Sequence, residues 1–207
     1  MAELVLAEPT AEPKPRTEAV YAPVGISNRH IHLAPSDLAV LFGEGYELVP
    51  AKELSQPGEF AGREVVALVG PKGVIEGVRV VGPLRQQSQV EISVTDSYRL
   101  GVRPPVRLSG QLEGTPGITV IGPKGVLHLP QGLIIAARHL HLPEDLAAAW
   151  GLVHGAVIGA QAEGSRGVIF QEVAVRVSPK YRLELHLDTD EANGAFLKNG
   201  DLVKLLW

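Results

Sequence analysis

The sequence predicts a mostly β protein: two related β modules of barrel or sandwich type, interleaved along the chain and capped by a few short α-helices. Three observations carry this. Glycine (23) and proline (16) together approach a fifth of the 207 residues, and they punctuate strand-sized runs rich in Val, Ile and Leu. Many short strands with frequent turns are the pattern of barrels and sandwiches, and helical patterns here are few and brief. The chain also repeats itself. "ISNRHIHLAPSDLAVLFG" parallels "IAARHLHLPEDLAAAWG", and "VGPKGVIEGVRVVGP" parallels "IGPKGVLHLPQG". The repeated pieces do not follow in simple tandem order.

The elements follow in order. Residues 1–18, rich in proline and glutamate, are expected to form a mobile tail. The tail lacks a basic region followed by an apolar core, so it does not read as a secretory signal. A docking segment at "MAELVLA" is the less expected alternative. "PSDLAVLFG" and "PEDLAAAWG" place Pro near the first turn, Asp early and Gly just past the end, as helices do. "EVVALVG", "GVIEGVRVVG", "QVEISVTD", "PVRLSG", "GITVIG", "GVIFQEVAVRVS", "YRLELHLDTD" and "DLVKLLW" read as strands ending at Gly, Pro, Asp or Ser. "TDEANGAFLKNG" reads as a third helix with Thr189 as its N-cap.

Composition narrows the function. Hydrophobic residues are 45% and aromatics only 5%, so aliphatic side chains must fill the core. The net charge of −4 is spread without a basic stripe, which argues against nucleic acid as a partner. There is no cysteine, which excludes disulfides and thiolate metal sites and is compatible with a cytoplasmic location. No apolar run is long enough to span a bilayer.

The chemistry lies in the repeat. Each copy holds Arg-His-aliphatic-His-Leu. On a strand, residues i and i+2 face the same way, so His30 projects with His32, and His139 with His141. Imidazole is a common ligand of zinc, and core packing does not require two histidines. In "QVEISV" the residues Gln89, Glu91 and Ser93 share a face, so Glu91 could complete a His-His-carboxylate set. A solvated strand position is the commoner role for such a glutamate. In "LELHLD" the residues Glu184, His186 and Asp188 share a face. His186 could join the second pair, with Glu184 and Asp188 orienting an imidazole. His128 and His154 lack such partners and read as structural or exposed. Arg85, shortly before Glu91, suits an oxyanion such as phosphate, because its guanidinium fork donates two parallel hydrogen bonds. Standing alone, it would read as a surface arginine.

Together these residues resemble the PduL-type phosphotransacylases (phosphate propanoyltransferases). The likeness runs from about Val24 to Asn193. It rests on "GISNRHIHL", "LSQPGEFA", "GPKGVIEGVRVVGPLRQQSQVEISVTD", "PVRLSG", "AARHLHL" and "LELHLDTDEANG". The resemblance implies two β-barrels capped by short helices. One would span residues 19–28 plus 137–207, and the other residues 29–136, with a small inserted sheet near 43–63. It implies transfer of a short acyl group, propanoyl or acetyl, between coenzyme A and inorganic phosphate at two zinc ions. His30, His32 and Glu91 would hold one ion, and His139, His141 and His186 the other. Arg85 would hold phosphate, with Gln89 and Asn193 near the reacting groups. Ser27, Lys52, Arg79, Tyr98, His186 and Asn193 would contact CoA, Tyr98 as a stacking surface for adenine. Ser88 departs from an expected threonine but keeps the hydroxyl. The resemblance also implies a homodimer in the cytoplasm, in some members inside a bacterial microcompartment in contact with its shell. The tail gives no support for a targeting extension.

Two other readings stand beside it. His-x-His also opens the barrels of metal-dependent amidohydrolases, but those need long alternating helices and more residues than these. A non-enzymatic β-barrel binding module would need neither zinc nor the pairing of Glu91 with Arg85.

Overall fold

Ladders built from short strands need their polar backbone groups paired beyond the local segment, and this chain pairs them across large sequence distances. A computed structural model describes residues 19–207; the expected N-terminal tail, residues 1–18, lies outside the described residues. The described chain divides into two compact units. Unit 1 joins the residues up to Ser27 to Ala137–Trp207, and unit 2 is Asn28–Ala136.

The chain opens with β1 (Val20–Ser27) in unit 1. Unit 2 then supplies β2 (His30–His32), α1 (Pro35–Phe42), β3 (Pro50–Glu53), β4 (Phe60–Val69), β5 (Val74–Gly82) and β6 (Gln89–Glu91). It continues with α2 (Val94–Leu100), β7 (Val106–Arg107), β8 (Ile118–Ile121), β9 (Val126–Leu129) and β10 (Leu133–Ala136). Back in unit 1 come β11 (His139–Leu142), α3 (Glu144–Trp150), β12 (Val157–Ala162) and β13 (Val168–Val177). The last elements are β14 (Glu184–Asp188), α4 (Thr189–Ala195) and β15 (Leu202–Leu206).

Unit 1 is a closed barrel in the order β1-β14-β11-β13-β12-β15. Closure leaves no sheet edge. The period of two decides what fills it. Leu140 and Leu142 of β11, and Leu185 and Leu187 of β14, enter the core with Val24, Val203 and Leu205. Each such leucine contributes about 1.5–3 kcal/mol by leaving water. The alternate residues of β11 and β14, which include His139, His141 and His186, therefore face away from that core. α3 stops at Gly151, whose φ of 68° is the left-handed conformation glycine adopts without strain.

Unit 2 is a nine-stranded sheet with the path β7-β10-β6-β2-β5-β4-β8-β9, and β3 pairs with β4 off this path. Its ladder curls but runs open, unlike the closed barrel of unit 1. Ile31 of β2 and Val90 of β6 enter a core with Leu33, Leu68, Val78, Val80 and Leu133. His30 and His32, and Gln89 and Glu91, take the other face. β3 pairs antiparallel with the start of β4, Pro50 against Gly62 and Glu53 against Phe60.

Two local expectations are corrected. The run "QVEISVTD" does not continue as a strand. β6 stops at Glu91, and Ser93 caps α2, its Oγ accepting from Asp96 N at 3.2 Å while Ser93 N donates to the Asp96 carboxylate at 3.4 Å. This reciprocal box satisfies backbone donors that the first turn of the helix leaves without an intrahelical partner. Thr189 is not the N-cap of α4. That position is Asp188, whose Oδ1 accepts from Glu191 N at 2.8 Å. A carboxylate there also complements the positive end of the helix. Asp188 is thereby committed to the cap rather than to an imidazole.

Candidate metal centres

In unit 2, β2 lies between β5 and β6. The antiparallel register sets His30 against Glu91 and His32 against Gln89. His30, His32 and Glu91 each bring a donor atom within 4.8 Å of the others. His30 Nδ1 is 2.8 Å from the Asn28 carbonyl, and His32 Nδ1 is 3.0 Å from that of Val81. A carbonyl only accepts, so both Nδ1 atoms donate. In a neutral ring of that tautomer Nε2 carries a lone pair, and here the two Nε2 atoms stand 3.2 Å apart. Two acceptors at that distance repel unless a cation lies between or beside them. The donor set therefore fits a metal ion. Burial first, then the neighbouring His30 and Arg85, push His32 down to about 2, so its ring is neutral, the form a metal needs.

Glu91 is buried, and Gln89 explains how its carboxylate is oriented. Gln89 Nε2 donates to Glu91 Oε1 at 2.5 Å and to Ser109 Oγ at 2.8 Å, while its Oε1 accepts from Gly110 N at 2.7 Å. The other oxygen, Glu91 Oε2, faces His30 Nε2 at 3.7 Å. Arg85 Nη1 donates to the same Ser109 Oγ at 2.7 Å. Gln89, which holds Glu91, and Arg85 thus meet on one serine that sequence reasoning gave no role. "PVRLSG" contains Ser109, but a lone serine past a two-residue strand carries no periodic signal. Ser88, the departure noted above, is buried, and its Oγ accepts from Ala34 N at 2.8 Å and donates to Asp37. It anchors the start of α1.

Unit 1 repeats the arrangement with a different third donor. β11 pairs antiparallel with β14, setting His139 against His186. His139, His141 and His186 bring donor atoms within 4.8 Å of one another. His139 Nδ1 is 2.8 Å from the Ala137 carbonyl, and its Nε2 is 3.1 Å from His141 Nε2. His141 stacks on Tyr181 at 4.2 Å. Its Nδ1 is buried with no hydrogen-bond partner among the described residues. Burial, then His186, His139 and Arg176, push His141 down to about 2. His186 Nε2 meets Glu184 Oε2 at 2.6 Å. Three imidazoles, one tied to a carboxylate, again form a donor set suited to zinc. His128 and His154 are exposed and bond to Thr119 and to Val177 N.

The comparisons with known proteins follow this geometry. The family model described as phosphate propanoyltransferase matches residues 23–198. The chain belongs to that family. A phosphate propanoyltransferase of Thermotoga maritima is 56% identical over 184 residues, which cover 88% of each chain. One from Salmonella typhimurium is 50% identical over 178 residues, 86% of this chain and 84% of the relative. A third, from Rhodopseudomonas palustris, is 48% identical over 182 residues, 88% and 80% of the two chains.

Family membership makes the chain an acyltransferase, and the binding-module reading falls with it. In this phosphate propanoyltransferase fold the residues expected at CoA are placed as follows. Arg79 stands opposite His30 on β5 and bonds the carbonyls of Gly62 and Arg63 at 3.1 and 3.0 Å. Lys52 is exposed on β3, and Tyr98 on α2 is 79% exposed, open enough to stack on a flat ring. Ser27 ends β1 beside Asp188, its carbonyl accepting from Thr189 Oγ1 at 3.3 Å. Asn193 is exposed on α4. Among the described residues, no helix is long and apolar enough to cross a membrane.

Proposed function

We propose that the chain moves a propanoyl or acetyl group between coenzyme A and inorganic phosphate, with one zinc ion held in each unit. The observation that carries this reading is the duplicated donor set: two His-x-His pairs, each with Nε2 atoms turned onto one another and a third donor in register. Three protein ligands with an open position are the composition of catalytic zinc. His30, His32 and Glu91 would hold one ion, and His139, His141 and His186 the other. Zinc there supplies Lewis acidity toward the thioester and toward phosphate.

The chain's own residues do the rest. Arg85, seated on Ser109, pairs with phosphate through its planar fork. Gln89 holds Glu91 in place and stands beside that phosphate. Asn193 is a further candidate for contact with the reacting groups. Ser27, Lys52, Arg79, Tyr98, His186 and Asn193 are the candidate CoA contacts, since CoA carries several negative phosphates and a flat base. A phosphate oxygen attacks the thioester carbonyl carbon. The tetrahedral oxyanion collapses, the C–S bond breaks, and CoA leaves as the thiolate, with acyl phosphate as the other product. With no cysteine in the chain, transfer runs without a Cys-linked acyl intermediate.

The test is CoA release from propanoyl-CoA, with and without phosphate, alongside metal analysis. His30→Ala and His139→Ala should each abolish transfer and lose about one zinc equivalent. Full activity in either variant overturns the assignment, and turnover without phosphate would mark a hydrolase. We also propose a homodimer and a cytoplasmic location, within a microcompartment and against its shell where the cell builds one. Size-exclusion chromatography with light scattering tests the first, and co-purification with shell particles the second. The two units are proposed as domains at residues 19–28 plus 137–207 and residues 29–136.

A further inference from the structure

Each His-x-His pair is preceded by an arginine, and the catalytic reading leaves both arginines without a role. Arg29 Nε donates to Asp96 Oδ2 at 2.8 Å. Arg138 Nε meets Glu191 Oε1 at 2.7 Å. These contacts are equivalent. In unit 2 the third donor is Glu91; Ser93 caps the following helix, and Asp96 is the N3 residue of that capping box. In unit 1 the third donor is His186; Asp188 caps the following helix, and Glu191 is N3. The spacing is the same in both: cap two residues after the third donor, acid five residues after it, arginine one residue before the first histidine.

The acids are doubly used. Asp96 also accepts from Ser93 N, and Glu191 Oε2 from Asp188 N at 3.0 Å. Each arginine therefore ties the strand that carries two donors to the rigid cap that ends the strand carrying the third. Arg138 reaches further. Its Nη1 donates to Gln171 O at 3.0 Å, on β13, which flanks β11 on the side away from β14. One guanidinium thus fastens the strand on one side of β11 and the helix that follows the strand on the other. A lysine, a point charge without the fork, could not reproduce this.

We infer that Arg29 and Arg138 are positioning residues, each fixing the register of a third metal donor against its His-x-His pair. The inference rests on the zinc reading above and deepens it. Residues that hold ligands in place change metal affinity by about 10–100-fold when removed. The effect should be local to the unit.

The experiment measures zinc affinity of the full-length chain by competition with a chromogenic chelator. In a His139→Ala/His141→Ala background, which keeps only the unit 2 site, Arg29→Met should weaken zinc about 10-fold or more and Arg138→Met should not. In a His30→Ala/His32→Ala background the pattern should reverse. Glu191→Gln and Asp96→Asn keep a side-chain acceptor for the capping boxes and should reproduce the arginine effects in milder form. Unchanged affinity in the matched background, with folding intact by circular dichroism, overturns the inference while zinc binding by the parent stands. Equal weakening in both backgrounds overturns it too, since general destabilisation has no such address. A wild-type chain that binds no zinc removes this inference together with the proposed function.

Discussion

Gly25→Ala should unseat His186 by way of the Glu184 side chain. Gly25 sits opposite His186 in the parallel β1/β14 ladder. A Cβ at Gly25 would stand 2.7 Å from Glu184 Cδ and 2.9 and 3.0 Å from its two oxygens. The carboxylate would have to retreat by about 0.7 Å or more to reach ordinary contact. That retreat comes at the expense of its 2.6 Å contact to His186 Nε2. A partly buried hydrogen bond to a charged group contributes about 1.5–3 kcal/mol. Gly25 is not in a left-handed conformation, so alanine would otherwise gain about 0.4–1 kcal/mol from the unfolded chain. The net loss is about 1–2 kcal/mol, or a Tm lower by about 2–8 °C for a chain of this size. Zinc affinity at the unit 1 site should fall about 10-fold. The decisive control is Glu184→Ala, which removes the group that collides. On that background Gly25→Ala should be neutral or slightly stabilising, so the sign of its effect reverses. Thermal unfolding and chelator competition on all four proteins make the cycle. The reasoning fails if Gly25→Ala costs the same with and without Glu184.

Three further predictions follow from the site. Arg85→Lys keeps the charge but loses the fork seated on Ser109, so KM for phosphate should rise about 10-fold with metal content unchanged; steady-state kinetics and metal analysis read both. His32 and His141 stay neutral in the folded chain down to about pH 2, whereas unfolded histidine protonates below about 6.5. The unfolded chain thus binds more protons between those values. Metal-stripped protein should be at full stability above pH 6.5 and lose roughly 1 kcal/mol per histidine per pH unit below it, which urea melts across pH 5–8 would register. Exhaustive chelation should abolish phosphate-dependent CoA release and lower Tm, and two equivalents of zinc should restore both.

Much of this was legible from spacing alone. The alternation that puts His30 with His32, and Glu184 with His186, is a local property of strands. So are the Pro starts and Gly stops of α1 and α3. The same alternation misled at Ser93, because "QVEISV" keeps a strand's pattern beyond the point where Ser93 and Asp96 close a capping box. A cap competes with a strand by satisfying backbone donors, and apolar periodicity does not register that. Ser109 was invisible for another reason. It lies twenty residues beyond Gln89 and is joined to it and to Arg85 only through a fold-level approach. Arg29 and Arg138 were conspicuous by repetition, yet their partners, Asp96 and Glu191, lie 67 and 53 residues away.

By itself the sequence determined the mostly β class, the duplicated histidine strands and the residue types able to complete them. Those follow from side-chain alternation and turn chemistry, which act over a few residues. The tertiary structure alone decided that His30 faces Glu91 while His139 faces His186, that β1 joins β14 in parallel to close one barrel, and that His32 and His141 are buried and neutral. The physical reason is that strand neighbours are chosen by closure of a ladder and by the burial of Leu140, Leu185, Ile31 and Val90. Those are non-local terms, with no counterpart in any short window of sequence.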